Sequence, residues 1–288
     1  MLDPMRLRVL VAVARTGSVT AAAQELHYSQ PAVSHHLARL EAETGAKLIQ
    51  RVGRGIRLTE AGRLLAERAE EILGRIESAS AELAAYVGLR SGRVRLAAFP
   101  SALGTFVPTA AVRLAERHPG LELCFTEAEP PEALRMLRAG QVDVAVLFRY
   151  GEAEPDEEGV RLTHLFDEPG FLVLPAAEPG AETLAGHAGS RWIAGCERCR
   201  AHLLRLCAEA GFEPRVSFTT DDYVAVQAMV AAGLGVAVLP ELALTAHRHP
   251  GIRTVPLPGS TRRVFAATYG EPPDPPPTAA LLTALLGG

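Results

Sequence analysis

The sequence predicts an α+β multidomain chain: an N-terminal winged helix-turn-helix, a long dimerisation helix and a C-terminal α/β body. Three observations predict it. Charge is divided unevenly along the 288 residues, whose net charge is −4. Residues 1–65 carry 9 Lys+Arg against 5 Asp+Glu, and the remainder is acidic. Between residues 59 and 88, apolar side chains step alternately by four and three. Beyond Gly88–Gly92, strand-like and helix-like periods alternate, as they do where helices cover a sheet. A basic head on an acidic body points to a polyanion contact at one end only.

In the head, Leu7, Leu10, Val11 and Ala14 recur at helical spacing until Gly17. A short helix follows over Val19–Leu26. His27-Tyr28-Ser29 form a tight turn, and Ser29 is placed to cap the next helix. Pro31 fits the first turn of that helix, where amide donors lack intrahelical partners. Val33, Leu37 and Leu40 make its apolar face and leave Gln30, Ser34, His35 and Ala38 elsewhere. Two short helices about a three-residue turn, the second polar at its start, are the pattern of a DNA-reading helix pair. Leu48–Val52 and Ile56–Leu58 read as strands around Gly53-Arg54-Gly55, a hairpin tip. Arg51, Arg54 and Arg57 lie on or near this wing, and a guanidinium at the tip can enter a minor groove. The expected DNA contacts are Gln30, Pro31, Ser34, His35, Arg51 and Arg54.

Thr59 can cap the long helix. Its seam, Leu65, Ala69, Ile72, Ile76, Ala79 and Leu83, has the strict stepping of a helix facing a partner helix, so a homodimer is expected. Two-fold symmetry also suits palindromic half-sites. The domain boundaries read as 1–58, 59–90 and 91–288.

The body reads as strand Val94–Ala98, helix Ala102–Arg117, strand Leu121–Thr126, helix Pro131–Arg138 and strand Val142–Leu147. After the acidic loop Gly151–Gly159 come Gly170–Leu174, Trp192–Ala194, His202–Ala210, Val216–Phe218, Tyr223–Ala232 and Val236–Leu239. This alternation implies parallel sheets with ligands outside the strand carboxyl ends. Tyr223–Pro240 is uncharged for 18 residues, but Gly233, Gly235 and Pro240 divide it into a helix, a turn and a strand, so no membrane span is expected.

Several chemistries are excluded by residue usage. Lys47 is the sole lysine, no P-loop occurs, and neither Gly-x-Ser-x-Gly nor His-Glu-x-x-His is present. No catalytic residue, cofactor or metal is expected. Four cysteines make no disulfide framework, and arginines interrupt any secretory segment, so the chain is expected in the cytoplasm.

The run Ala21-Ala22-Ala23-x-x-Leu26-x-x-Ser29-Gln30-Pro31-Ala32-Val33-Ser34, with Leu40-Glu41, Gly45-x-x-Leu48-Ile49-x-Arg51, Arg54 and Leu58-Thr59-x-Ala61-Gly62, resembles the LysR-type transcriptional regulators. Ile49 stands where that family usually has Phe. The resemblance implies a dimer or tetramer, promoter DNA and RNA polymerase as partners, and a periplasmic-binding-protein-like effector domain of two subdomains. The chain would cross between them near Thr163–Leu165 and Phe265–Ala267, giving subdomain one as 92–163 plus 267–288 and subdomain two as 164–266.

A small effector would then bind in the cleft between the subdomains. Pro100 and Ser101 open a helix after the first strand, and Arg149 follows the strand Val142–Leu147 as a counter-charge. Cys196, Asp221 and Tyr223 stand at strand-to-helix corners of the second subdomain. Together they suit a small carboxylate, one also carrying an amine. Two rival readings remain. Cys196-x-x-Cys199-x-x-His202 shares one helix face and could sense redox state or a metal instead. An enzyme or small-molecule binder without DNA binding is the other. His247-x-His249 reads as a surface loop.

Overall fold

The computed structural model describes residues 2–52, 55–86, 92–151, 159–177 and 181–287. It divides into two compact units, Met1–Leu89 with Arg135–Gln141, and Arg90–Leu134 with Val142–Gly288. Among the described residues no helix is long and apolar enough to cross a membrane.

In the first unit, helix α1 (Pro4–Thr16) is capped by Asp3, which accepts from the Met5 amide, and stops at Gly17 in the left-handed conformation. Helix α2 (Val19–Glu25) is capped by Ser18, and α3 (Gln30–Thr44) by Ser29, whose Oγ accepts from the Ala32 amide at 3.3 Å. Three local caps set the helix starts, and one core joins them: Leu7, Leu10, Val13, Val33, Leu37 and Leu40 are all buried. Glu41 ties α3 to the following strand by accepting from Lys47 and from the Leu48 amide. Strands β1 (Ile49–Val52) and β2 (Gly55–Leu58) pair antiparallel, Ile49 opposite Leu58 and Val52 opposite Gly55. Thr59 then starts helix α4 (Glu60–Tyr86), accepting from the Gly62 amide and donating to the Lys47 carbonyl. Any Cβ at Gly62 would lie 2.0 Å from the Leu48 carbonyl oxygen, so only glycine lets α4 approach β1 this closely.

The second unit is one eight-stranded sheet. Its strands are β3 (Gly92–Ala98), β4 (Leu121–Glu127), β5 (Val144–Tyr150), β6 (Val160–Pro175), β7 (Arg191–Ala194), β8 (Arg215–Thr219), β9 (Val236–Pro240) and β10 (Ile252–Tyr269). The order across the sheet is β4-β3-β5-β10-β6-β9-β7-β8. The expected parallel pairing is found where β3 meets β4 and β5 and where β7 meets β8 and β9, but the two halves form one mixed sheet. β10 runs antiparallel to both β5 and β6, and β6 antiparallel to β9, because two long strands carry the chain across the sheet and back. β10 meets β5 over residues 262–267, and β6 meets β9 over 170–173. The β6–β10 pairing continues through Thr163–Leu165 and Phe265–Ala267, with its largest register shift between Pro256 and Thr261.

Helices α5 (Pro100–Leu103), α6 (Phe106–Arg117), α8 (Glu197–Glu209), α9 (Tyr223–Ala231), α10 (Glu241–Ala246) and α11 (Pro276–Leu286) complete the unit's elements, together with α7 (Pro130–Arg138), whose residues from Arg135 on fall in the first unit. The single helix expected over 102–117 is divided at Gly104–Thr105. A Cβ at Gly104 would come within 3.0 Å of the Tyr223 hydroxyl and the Ala246 methyl, so this break admits α9 and α10. Both faces of the central strands are buried, as along β5, while the edge strands β4 and β8 are largely exposed. Leu172 and Trp192 pack against Leu206 of α8, while Val173 and Ile193 pack against Val230 of α9. Strands covered on both faces read as continuous apolar runs.

Candidate functional site

The first candidate site is the outer face of α3. Val33, Leu37 and Leu40 turn inward, and Gln30, Pro31, Ser34, His35, Ala38 and Arg39 are exposed on the other side. Gln30 offers the paired donor and acceptor that match an adenine edge, and Ser34 and His35 follow one turn on. The β1–β2 hairpin forms as expected, and Arg57 is exposed on it. Arg54 and the Arg51 side chain lie outside the described residues.

On α4 the expected seam divides in two. Ala69 is fully buried and Leu65 partly buried, both within the unit's own core alongside Ala66 and Leu73. These two positions are therefore corrected from partner contacts to intramolecular ones. Ile72 (38% exposed), Ile76 (41%), Ala79 and Leu83 (64%) remain outside, joined by Leu64. The core-facing stripe of α4 is Gly62, Ala66, Ala69 and Leu73, so Leu65 and Ile72 lie to one side of it and Ile76, Ala79 and Leu83 lie beyond its last buried turn.

The second candidate site is a cleft in the sheet unit, with about 50 Å³ of space. That holds a handful of waters or a small molecule. Pro100, Ser101, Cys196, Asp221 and Tyr223 line it as expected. Arg149 does not. It follows Phe148 on β5, and successive strand residues face opposite ways. Phe148 lines the cleft, whereas Arg149 sits opposite Arg263 with its guanidinium 6.0 Å from the Phe265 ring. The cleft cation is Arg262 on β10, which sequence reading missed, as it missed Glu129 and Phe148.

Arg262 is 3% exposed and Glu168 1%. Arg262 Nε donates to Glu168, Nη2 donates to Ser101 Oγ at 3.0 Å, and the guanidinium lies over the rings of Phe99 and Phe148. Glu168 accepts in turn from the Leu242 amide at 2.9 Å. Burial pushes the Glu168 carboxyl above its ordinary range, while Arg262 and that amide pull it back. One buried ion pair thus connects α5, the two crossing strands and α10.

Cys196 is the N-cap of α8, and its sulfur lies 3.2 Å from that of Cys199. The contact with Cys196 holds the Cys199 thiol below its usual range, and Cys196 is raised by the same contact and by burial. Cys199 also meets the Tyr150 hydroxyl at 3.7 Å. His202 does not extend this pair into a metal site. It stacks on Tyr150, bonds to Ser260 Oγ at 2.9 Å, and burial followed by the charge of Arg205 lowers its pKa to about 4. Among the described residues no three His, Cys, Asp or Glu side chains gather to hold a metal.

Residues 5–63 match the family model described as bacterial regulatory helix-turn-helix protein, lysR family, and residues 88–288 match the LysR substrate binding domain. The chain is 31% identical over 251 residues to the DNA-binding transcriptional dual regulator OxyR of Escherichia coli, covering 84% of this chain and 80% of that one. It is 31% identical over 284 residues to a probable hydrogen peroxide-inducible genes activator of Mycobacterium avium, covering 92% and 83%. The crystal structure of CbnR, a LysR family transcriptional regulator, shares the fold at a TM-score of 0.71 and 23% identity, covering 99% of this chain and 98% of that one. The chain therefore belongs to the LysR family, as a DNA-binding transcriptional regulator with a C-terminal effector-binding domain.

Proposed function

We propose that α3 enters the major groove of an operator with Gln30, Ser34 and His35 reading base edges and Pro31 setting the helix start, while Arg51 and Arg54 hold the backbone or minor groove. The observation that carries this reading is the polar outer face of α3, exposed from its first turn and backed by buried Val33, Leu37 and Leu40. Two chains act together through the outward stripe Ile72, Ile76, Ala79 and Leu83, as a dimer or a dimer of dimers, and the bound regulator engages RNA polymerase. A small effector in the cleft biases two arrangements of the dimer, which requires different affinity for each. Ser101 supports a carboxylate-bearing effector. Its Oγ accepts from Arg262, and its own proton is left to donate.

Base readout and backbone contact separate experimentally. Gln30→Ala and Ser34→Ala should relax the preference among operator variants, by about 1–3 kcal/mol per lost base contact. Arg54→Ala should weaken binding to all sequences alike and reduce the salt dependence by about one counterion. Fluorescence anisotropy at several salt concentrations measures both. An unchanged preference in the α3 variants overturns the assignment.

One observation favours a second reading, in which the thiols receive the signal. Cys196 at the N-cap, outside the regular helix, brings its sulfur next to that of Cys199, so a disulfide can close at the helix start. Two thiols and one peroxide give a disulfide and two waters. The mycobacterial relative is named for hydrogen peroxide, which lends this reading some support.

A further inference from the structure

The charged groups of the cleft do not balance. Glu129, Asp221 and Arg262 line it. Arg262 is already met by Glu168, by Ser101 Oγ and by two aromatic rings. Glu129 is not. It stands between β4 and α7, and its Oε2 is shut off from solvent without a hydrogen-bond partner among the described residues. Burial pushes its carboxyl above the ordinary range and the charge of Asp221 adds to this, while a hydrogen bond with the Cys196 thiol and the charges of Arg262 and Arg198 pull it back. A buried carboxylate oxygen left without a donor is costly, and in a cavity wall the missing donor can come from the occupant. Asp222, by contrast, spends its Oδ1 on the Val224 and Ala225 amides and caps α9.

We propose that the effector carries a protonated amine, which donates to Glu129 Oε2 and lies within the field of Asp221. Its apolar body packs against Phe99, Tyr223, Val226 and Leu239. This rests on the reading that the cleft is the effector site, and it adds a cationic group to the carboxylate that Ser101 would meet. An ammonium supplies the N–H that Oε2 lacks and the positive charge that the two carboxylates call for. The cleft has room for a small amine of this kind.

Three probes of equal chain length test it: n-butylammonium, n-butanol and butyrate, titrated by calorimetry into the full-length protein. Butylammonium should bind at least about tenfold more tightly than the other two. Glu129→Gln keeps the side-chain shape and should cost about tenfold or more in butylammonium affinity while leaving butanol unchanged. Affinity in the wild type should fall as pH is lowered and Glu129 is protonated. Circular dichroism verifies that each variant is folded. Equal butylammonium affinity in Glu129→Gln, a preference for butyrate, or no butylammonium binding overturns the proposal. Tyr223→Ala separates the two levels. Binding lost in Tyr223→Ala but indifferent to Glu129 keeps the cleft and removes the amine, whereas binding indifferent to both removes the cleft as well.

Discussion

Arg262→Met should destabilise the effector-binding domain by about 3–5 kcal/mol, because it leaves Glu168 charged and buried with no counter-ion. Glu168 is 1% exposed, and after the substitution only the Leu242 amide would remain to it. Met keeps much of the side-chain volume over Phe99 and Phe148, so the loss reports charge more than packing. Glu168→Leu alone should cost a similar amount, since it strands the guanidinium instead. The double substitution should recover most of the loss, because an apolar pair needs no desolvation of charges. Urea denaturation of the four proteins measures the cycle. Single variants within about 1 kcal/mol of wild type would show that the pair does not hold α5, β6, β10 and α10 together.

Ile76→Asp should leave each chain folded and separate the dimer. Ile76 is 41% exposed in the single chain, so a carboxylate there is solvated until a partner covers it. Loss of the partner removes the second half-site contact, and operator affinity should fall by about a hundredfold or more. Ala69→Asp should behave differently. Ala69 is fully buried against the core of its own unit, so a charge there should unfold the DNA-binding unit instead of dissociating it. Sedimentation velocity with circular dichroism distinguishes the two outcomes. A full-affinity dimer from Ile76→Asp would place the interface elsewhere.

These two positions show how far the sequence could be read. Capped helix starts at Ser29 and Thr59 were legible because a cap is a local bond between neighbours. The α4 seam was legible as a period but not as a partner. Ala69 and Ile76 obey the same spacing, and only tertiary packing distinguishes which turns α1 covers. Arg149 was chosen for the cleft by its place after a strand, but the strand runs on to Tyr150, and alternation turns Phe148 inward instead. Arg262 was hidden for a different reason. Pro256, Pro258 and Gly259 punctuate that stretch like a loop, yet β10 passes through them with a register shift. Glu129 carried a signal that could have found it. It follows β4 at the strand's carboxyl end and precedes Pro130 at the start of α7, the corner where ligands of such sheets bind.

Ligand sensing requires that a molecule bound in the cleft, and not oxidation of the Cys196–Cys199 pair, change how the dimer sits on DNA. Footprinting on the DNA upstream of the regulator's own gene tests it most directly. Wild type and the Cys196→Ser/Cys199→Ser variant are each recorded with dithiothreitol, with diamide, and with a low-molecular-weight cell extract in reductant. Ligand sensing predicts identical boundaries in dithiothreitol and diamide, and a shift with the extract in both proteins. A reversible shift with diamide that disappears in the double-serine variant, with no response to the extract, would contradict it.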